Sequence, residues 1–211
     1  MLQKDVDAVA EYLWTSSKRH AVVSNMEFCS VLNAVIRDDI AEEIEAAVII
    51  IRSINNRRVQ RKDGASDISI QSYPPKGETW RGGGFRQQHR AFFESMKGRK
   101  YRVPGFLATS DKRDIAAGFA YKASKNHPCA IWRIKFDRRG KDNPKYRVRH
   151  MTFVSKTLIE GENEYLFAPY SVFKLVSINW GKKLKDPHQF TIQSAIDNKE
   201  EAEDLPLAPW Y

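Results

Sequence analysis

The sequence predicts an α+β protein, with a helical N-terminal region followed by a body of two packed β-sheets that has two helices embedded in it. Three observations lead there. Apolar residues recur at helical spacing through the first 60 positions. After residue 66 the texture changes to eight short segments rich in β-branched and aromatic residues, separated by turn formers. The 211-residue chain is 42% apolar and 29% charged, and no apolar run approaches the ~18 residues of a membrane span. That composition excludes wholesale disorder and a membrane-spanning helix. Short strands with short connections favour a pair of antiparallel sheets packed together over a doubly wound parallel sheet.

The elements follow in order. Val6, Val9, Ala10, Leu13 and Trp14 mark a first helix. Phe28, Leu32, Val35 and Ile36 mark a second, with Ser24 or Asn25 as its N-cap. Ile40, Ile44, Ala47, Val48, Ile51 and Ile54 line one face of a third, with Glu42, Glu43 and Glu45 outside it. Residues 55–66 lose all periodicity and read as a loop. Strands are expected over 67–73, 78–81, 101–108, 129–136, 146–154, 164–168, 171–179 and 189–196. Helices are expected over 85–96 and 111–124, the latter capped by Ser110 or Asp111. The whole reads as one domain: a helical region at 1–62, a core at 63–196 and a C-terminal tail at 197–211.

The net charge is +9, unevenly spread. Residues 197–204 hold five acids and one base; without them the chain has 34 bases and 21 acids, or +13. The bases cluster at Arg57, Arg58, Arg61 and Lys62, at Lys97, Arg99, Lys100 and Arg102, and over 133–149. Such a surplus points towards anions: nucleic acid, a phosphate-bearing cofactor or an acidic partner. Cys29 and Cys129 make neither a disulfide framework nor a four-ligand zinc site, and they suit a reducing compartment. The N-terminus has no signal-peptide pattern, so the cytoplasm is expected, with secretion as an effector by another route as the alternative. The five histidines are scattered, and no metal site is expected.

Three local patterns carry chemistry. In Glu78-Thr79-Trp80-Arg81-Gly82-Gly83-Gly84-Phe85 an Arg is followed at once by three glycines. Either the glycines let a ligand reach the backbone beside a guanidinium suited to phosphate, or they are a turn entering a helix. In Gly105-Phe106-Leu107-Ala108-Thr109-Ser110-Asp111 a strand runs into a helix, and the hydroxyls serve either a site or a helix cap. In Glu160-Gly161-Glu162-Asn163-Glu164-Tyr165-Leu166-Phe167 two carboxylates stand two residues apart. If extended, both point to one face; the alternative is a surface turn of acids.

In this order, Arg-Gly, then Phe-x-x-Thr-Ser, then Glu-x-Glu before Tyr-Leu-Phe, the chain over roughly residues 73–196 resembles the mono-ADP-ribosyltransferase family. The resemblance is to its arginine–serine–glutamate class, the toxin-like, arginine-modifying branch. It implies the two-sheet core of that family and a reaction that moves ADP-ribose from NAD to a protein arginine and releases nicotinamide. NAD is then a substrate, no metal is needed, and the partner is a protein with an exposed arginine. It further implies that Glu164 is the catalytic carboxylate, that Glu162 orients or deprotonates the acceptor guanidinium, and that Arg81 holds NAD. The Gly82 backbone would take the nicotinamide amide, and Thr109 and Ser110 would brace the site. Phe119 and Tyr121 are the candidates to stack on nicotinamide, with one of them expected in the core.

The chemistry fits those roles, because a fixed carboxylate stabilises the positive charge that builds as the glycosidic bond breaks. A protonated guanidinium is a poor nucleophile and needs a second carboxylate. One departure stands out. Where the family has a Ser that orients the catalytic Glu, this chain has Ala108. Either another donor replaces it, with the Thr109 hydroxyl as candidate, or activity is weakened. The alternatives to arginine transfer are NAD hydrolysis, modification of a nucleic-acid base by the same fold, and a basic binding module without turnover.

Overall fold

A computed structural model of the chain describes residues 9, 10, 12–14, 16, 19, 20, 26–56, 73–124, 128–154, 163–182 and 186–209. The expected caps Ser24 and Asn25, the basic cluster at 57–62, all but Tyr73 of the strand expected over 67–73 and Glu162 lie outside these residues.

Residues 9, 10 and 12–14 are helical. A short pair of strands, β1 (Arg19–His20) and β2 (Met26–Glu27), leads into α1 (Phe28–Asp38). The N-cap of α1 is Glu27, without a side-chain cap bond, and the helix buries Leu32, Val35 and Ile36. It ends at Asp39 in the left-handed region, φ 50°. Helix α2 (Ala41–Asn56) follows, with Ala47 and Ile54 buried and Glu42, Glu43 and Glu45 exposed as their spacing required.

Among the described residues the body holds eight strands: β3 (Glu78–Gly84), β4 (Lys100–Val103), β5 (Leu107–Ser110), β6 (Cys129–Lys135), β7 (Met151–Val154), β8 (Glu164–Phe167), β9 (Ser171–Asn179) and β10 (His188–Ser194). Helix α3 (Arg90–Ser95) lies between β3 and β4, and α4 (Arg113–Ala123) between β5 and β6. The strand order is β4-β9-β10-β6-β3-β5-β8-β7. Strands β3 and β5 touch at one residue pair, Trp80 with Ser110. The ladder therefore divides into a five-stranded and a three-stranded sheet, joined at that seam. All pairings are antiparallel except β6 with β10, which run parallel and correct the all-antiparallel expectation.

The two sheets pack face to face. Leu107, Tyr165 and Phe167 of the smaller sheet share a core with Tyr101, Trp132, Phe173, Phe190 and Ile192 of the larger. Phe167 meets Phe136 and Phe173 at ring-centroid distances of 5.8 and 5.1 Å. Burying each such side chain contributes about 1.5–3 kcal/mol, so this aromatic layer dominates the stability of the body. Helices α1 and α2 cover the outer face of the smaller sheet, where Phe106, Val154 and Leu166 join Trp14, Leu32, Val35, Ile36 and Ile54. Helix α4 covers the larger sheet at Cys129 and Ile131.

The expected strand 101–108 breaks in two. Asn33 of α1 clamps Phe106 with two bonds, its Nδ2 donating to the Phe106 carbonyl (3.3 Å) and its Oδ1 accepting the Phe106 N–H (2.8 Å). A Cβ on Gly105 would come within 2.8 Å of that Oδ1, so a larger residue there would have to shift the Asn33 amide and its two bonds.

Candidate active site

The site lies at the seam. Glu164 opens β8, pairing with Ser110 on one side and Val154 on the other. The two-residue period places Glu164 with Leu166 on the face towards the N-terminal helices, and Tyr165 with Phe167 in the inter-sheet core. Glu164 is 9% exposed. Its Oε1 accepts the indole N–H of Trp14 at 3.1 Å, a contact between residues 150 positions apart. Just before it, Asn163 donates to Asp111 Oδ2 (3.1 Å), which ties the start of β8 to the start of α4.

Arg81 stands one residue beyond the seam pair, and its Nη1 donates to the Ala108 carbonyl at 2.9 Å. Burial pulls its guanidinium pKa down, while Cys29 and Glu164 pull it back up. Arginine keeps its proton regardless. What matters is that Arg81 and Glu164 act on each other in a desolvated place, where charges interact strongly. Cys29 belongs to the same surroundings: burial first, then Glu27 and more weakly Glu164, hold its thiol up and neutral.

The hydroxyls of β5 are engaged. Thr109 is buried, on the opposite face from Glu164, and its Oγ1 donates to the Tyr165 carbonyl at 2.9 Å. It braces β5 against β8 and is not the donor on Glu164, which corrects that expectation. Ser110 Oγ accepts the Lys112 N–H at 3.1 Å. Neither Ser110 nor Asp111 is the N-cap of α4: that position is Lys112, without a side-chain cap bond.

The glycines are part of β3, not a turn into a helix. A Cβ on Gly82 would lie 1.7 Å from the Ala116 carbonyl oxygen of α4, so helix and strand touch backbone to backbone. Among the described residues, β3 has no strand partner on the β5 side beyond Trp80. There the backbone opens onto a cleft of about 650 Å³. Met26, Glu27 and Ser30 wall it on one side, Phe119, Lys122 and Ala123 on the other, with Gly82 and Gly83 at its base. A cavity of about 70 Å³ lies on the Arg81 side of Gly83, lined also by His89, Trp132 and Pro209. Phe119 and Tyr121 are both exposed, 41% and 73%, so neither is the core residue expected. Of the two, Phe119 lines the cleft, with the Lys122 ammonium 5.4 Å from its ring centroid.

The structure thus brings Arg81, Gly82, Thr109, Ser110, Phe119 and Glu164 to one seam, with Thr109 in its wall. Sequence reasoning missed Trp14, Glu27 and Cys29 at this place. The helical pattern identified Trp14 as an apolar position, and no local signal marks it as a donor to a residue in β8. Among the described residues no group of three or more His, Cys, Asp or Glu is placed to hold a metal ion, and no helix is long and apolar enough to cross a membrane.

No family model matches the chain, and neither does any curated protein. Solved structures do. The ADP-ribosyltransferase HopU1 of Pseudomonas syringae pv. Tomato superposes with a TM-score of 0.61 at 16% identity, covering 90% of this chain and 76% of that one. The ADP-ribosyltransferase Vis, a toxin from Vibrio splendidus, superposes in its complex with agmatine with a TM-score of 0.55 at 14% identity, covering 97% and 89%. Exoenzyme S from Pseudomonas aeruginosa, in complex with human 14-3-3 protein beta and bound to carba-NAD, gives 0.54 at 14% identity, covering 95% and 80%.

Proposed function

We propose that this chain, which has the fold of the mono-ADP-ribosyltransferases, moves ADP-ribose from NAD to a protein arginine and releases nicotinamide. The observation that carries the reading is a buried carboxylate, Glu164, held at the seam of that fold beside the Arg81 guanidinium and next to an open cleft based on Gly82 and Gly83. The cleft suits NAD as substrate. Among the described residues it offers a strand edge without a ladder partner, an aromatic face at Phe119 and the cation of Lys122 within one opening.

Placement supports these roles, except that of Glu162, which rests on its spacing from Glu164 in the sequence. Arg81 carries a permanent charge into a desolvated spot, where it can hold a phosphate or a ribose edge. The backbone of Gly82 binds the nicotinamide amide, and Phe119 stacks on the ring. Glu164, already fixed, stabilises the positive charge that develops on the ribose as nicotinamide departs, at no cost of reorganisation during the reaction. Glu162 holds the incoming guanidinium and takes its proton. The complex of Vis with agmatine, itself a guanidinium compound, supports arginine as acceptor, and the carba-NAD bound to exoenzyme S supports NAD as donor.

The test is nicotinamide release and labelling of an arginine-rich protein with NAD. Glu164→Gln is expected to lower both about 10²–10³-fold, the effect of losing one aimed electrostatic stabiliser. Glu162→Gln is expected to lose labelling while keeping nicotinamide release. A Glu164→Gln protein that labels at the parent rate rejects the reading.

A further inference from the structure

We propose that Trp14 is the positioning residue for Glu164: its indole N–H holds one carboxylate oxygen in the orientation that the transfer needs. The inference rests on the reading of Glu164 given above.

A carboxylate buried this deeply needs donors, and an acid poised over a reacting centre needs a single orientation. The adjacent strand lacks the serine that the resemblance would lead one to expect at position 108. On the face shared with Glu164, β5 presents Ala108 and Ser110. Ala108 has only a methyl group, and Ser110 Oγ accepts the Lys112 N–H, which leaves its own O–H free to donate elsewhere. Thr109 faces the other way and donates to the Tyr165 carbonyl. A donor comes from the helical residues at 12–14, as Trp14 Nε1–H to Glu164 Oε1 at 3.1 Å.

Trp14 is suited to hold rather than follow. It is 6% exposed, and its ring packs on Phe106 with centroids 4.8 Å apart. Phe106 is in turn clamped by the two bonds from Asn33. A chain of fixed groups therefore runs from α1 through the break in the β4–β5 segment to the carboxylate. An indole is a donor only, so it cannot rotate to accept and it favours the ionised acid.

Trp14→Phe keeps an aromatic ring against Phe106 and removes the N–H, together with part of the indole's buried volume. Its expected signature is a fall of about 10- to 100-fold in kcat for nicotinamide release, the effect of losing a hydrogen bond to a charged group. KM for NAD should stay within about twofold, since uniform binding is untouched. The acid limb of the kcat–pH profile should move to higher pH, because the lost donor favoured the charged form. Ile54→Val, in the same cluster, controls for plain destabilisation; an equal fall in kcat there would overturn the inference.

Two further outcomes also overturn it. An unchanged kcat and pH profile shows that the bond does not orient the acid, and a raised kcat shows that the indole competes with substrate for it. Glu164→Gln, run in parallel, separates the two levels: if it abolishes release while Trp14→Phe does nothing, only the present inference falls. If Glu164→Gln retains the parent rate, both fall. The indole N–H resonance, assigned by its loss in Trp14→Phe, gives a readout that needs no turnover. It is expected to shift on acidification, and Glu164→Gln should abolish that shift. A pH-insensitive resonance overturns the inference.

Discussion

Burial of the His150 imidazole makes this chain sensitive to acid. The ring lies 6.1 Å from that of Phe167, and burial pushes its pKa down to about 4, with Asp197 opposing and Arg102 adding to the shift. In an unfolded chain the same group titrates near ~6.5. As pH falls, the unfolded state therefore takes up the proton first. Stability is complete above about pH 6.5 and declines as pH drops towards about 4, by at most about 3 kcal/mol. Denaturant midpoints at pH 7 and 4.5 should show that loss, and His150→Leu should reduce it. Since burial also lowers the pKa of His188, part of the slope should remain. An undiminished slope in His150→Leu would assign the acid sensitivity elsewhere. At this scale the gathering of several candidate residues was legible, while their roles stand as proposals. Arg81, Ser110 and Glu164 stood out because each is a reactive type at a strand–turn junction, and the structure sets them on one seam. Trp14 was not legible as a site residue, because an amphipathic pattern reports which face is buried and not what that face meets.

Between elements, the tightest joint is α4 on β3. With the Ala116 oxygen 1.7 Å from where a Cβ would stand, Gly82→Ala must push helix and strand apart. Overpacking of this kind costs about 1–3 kcal/mol or more, which for a chain this long lowers the melting temperature by roughly 2–4 °C per kcal/mol. Gly83→Ala is the matched control, because its Cβ would meet only the Trp132 ring, at 3.9 Å. A thermal melt should separate the two, and equal melting temperatures would disprove the packing account. Most strands were legible as elements. Segment 171–179 forms as expected, and 129–136 and 164–168 are each one residue shorter. The segment 101–108 was read as one strand because nothing in its own composition reveals the clamp from Asn33, 73 residues away.

For the whole molecule, the last residues are a strap and not a loose tail. Arg102 donates its N–H to the Pro206 carbonyl and accepts from the Ala208 N–H. Lys100 pairs with Glu201 and Arg149 with Asp197. Ala208 is buried in the inter-sheet core, and Pro209 lines the cavity beside Arg81. The surface pairs add at most about 1 kcal/mol each; the covered edge of β4 matters more, since an open edge invites pairing between molecules. Deleting residues 197–211 should lower the melting temperature by several degrees and produce concentration-dependent light scattering. A truncated chain as stable and monodisperse as the parent would show that the strap is dispensable. The strap also accounts for part of the charge asymmetry, because its acids answer bases of the body. Arg133 with Glu78 and Arg139 with Asp137 take up more of the basic surplus within the described residues.

The sequence by itself determined the fold class, most of the order of helices and strands, and which residues were candidates for chemistry. Each of those is encoded in near neighbours, through the two periodicities of the backbone and the chemistry of single side chains. Only the tertiary structure decided the parallel pairing of β6 with β10, the strap across β4, the contact that makes Gly82 obligatory and the indole on Glu164. All four depend on residues far apart in the chain, whose meeting is set by how whole faces pack. A local pattern states that a face will be buried, and packing chooses its partner.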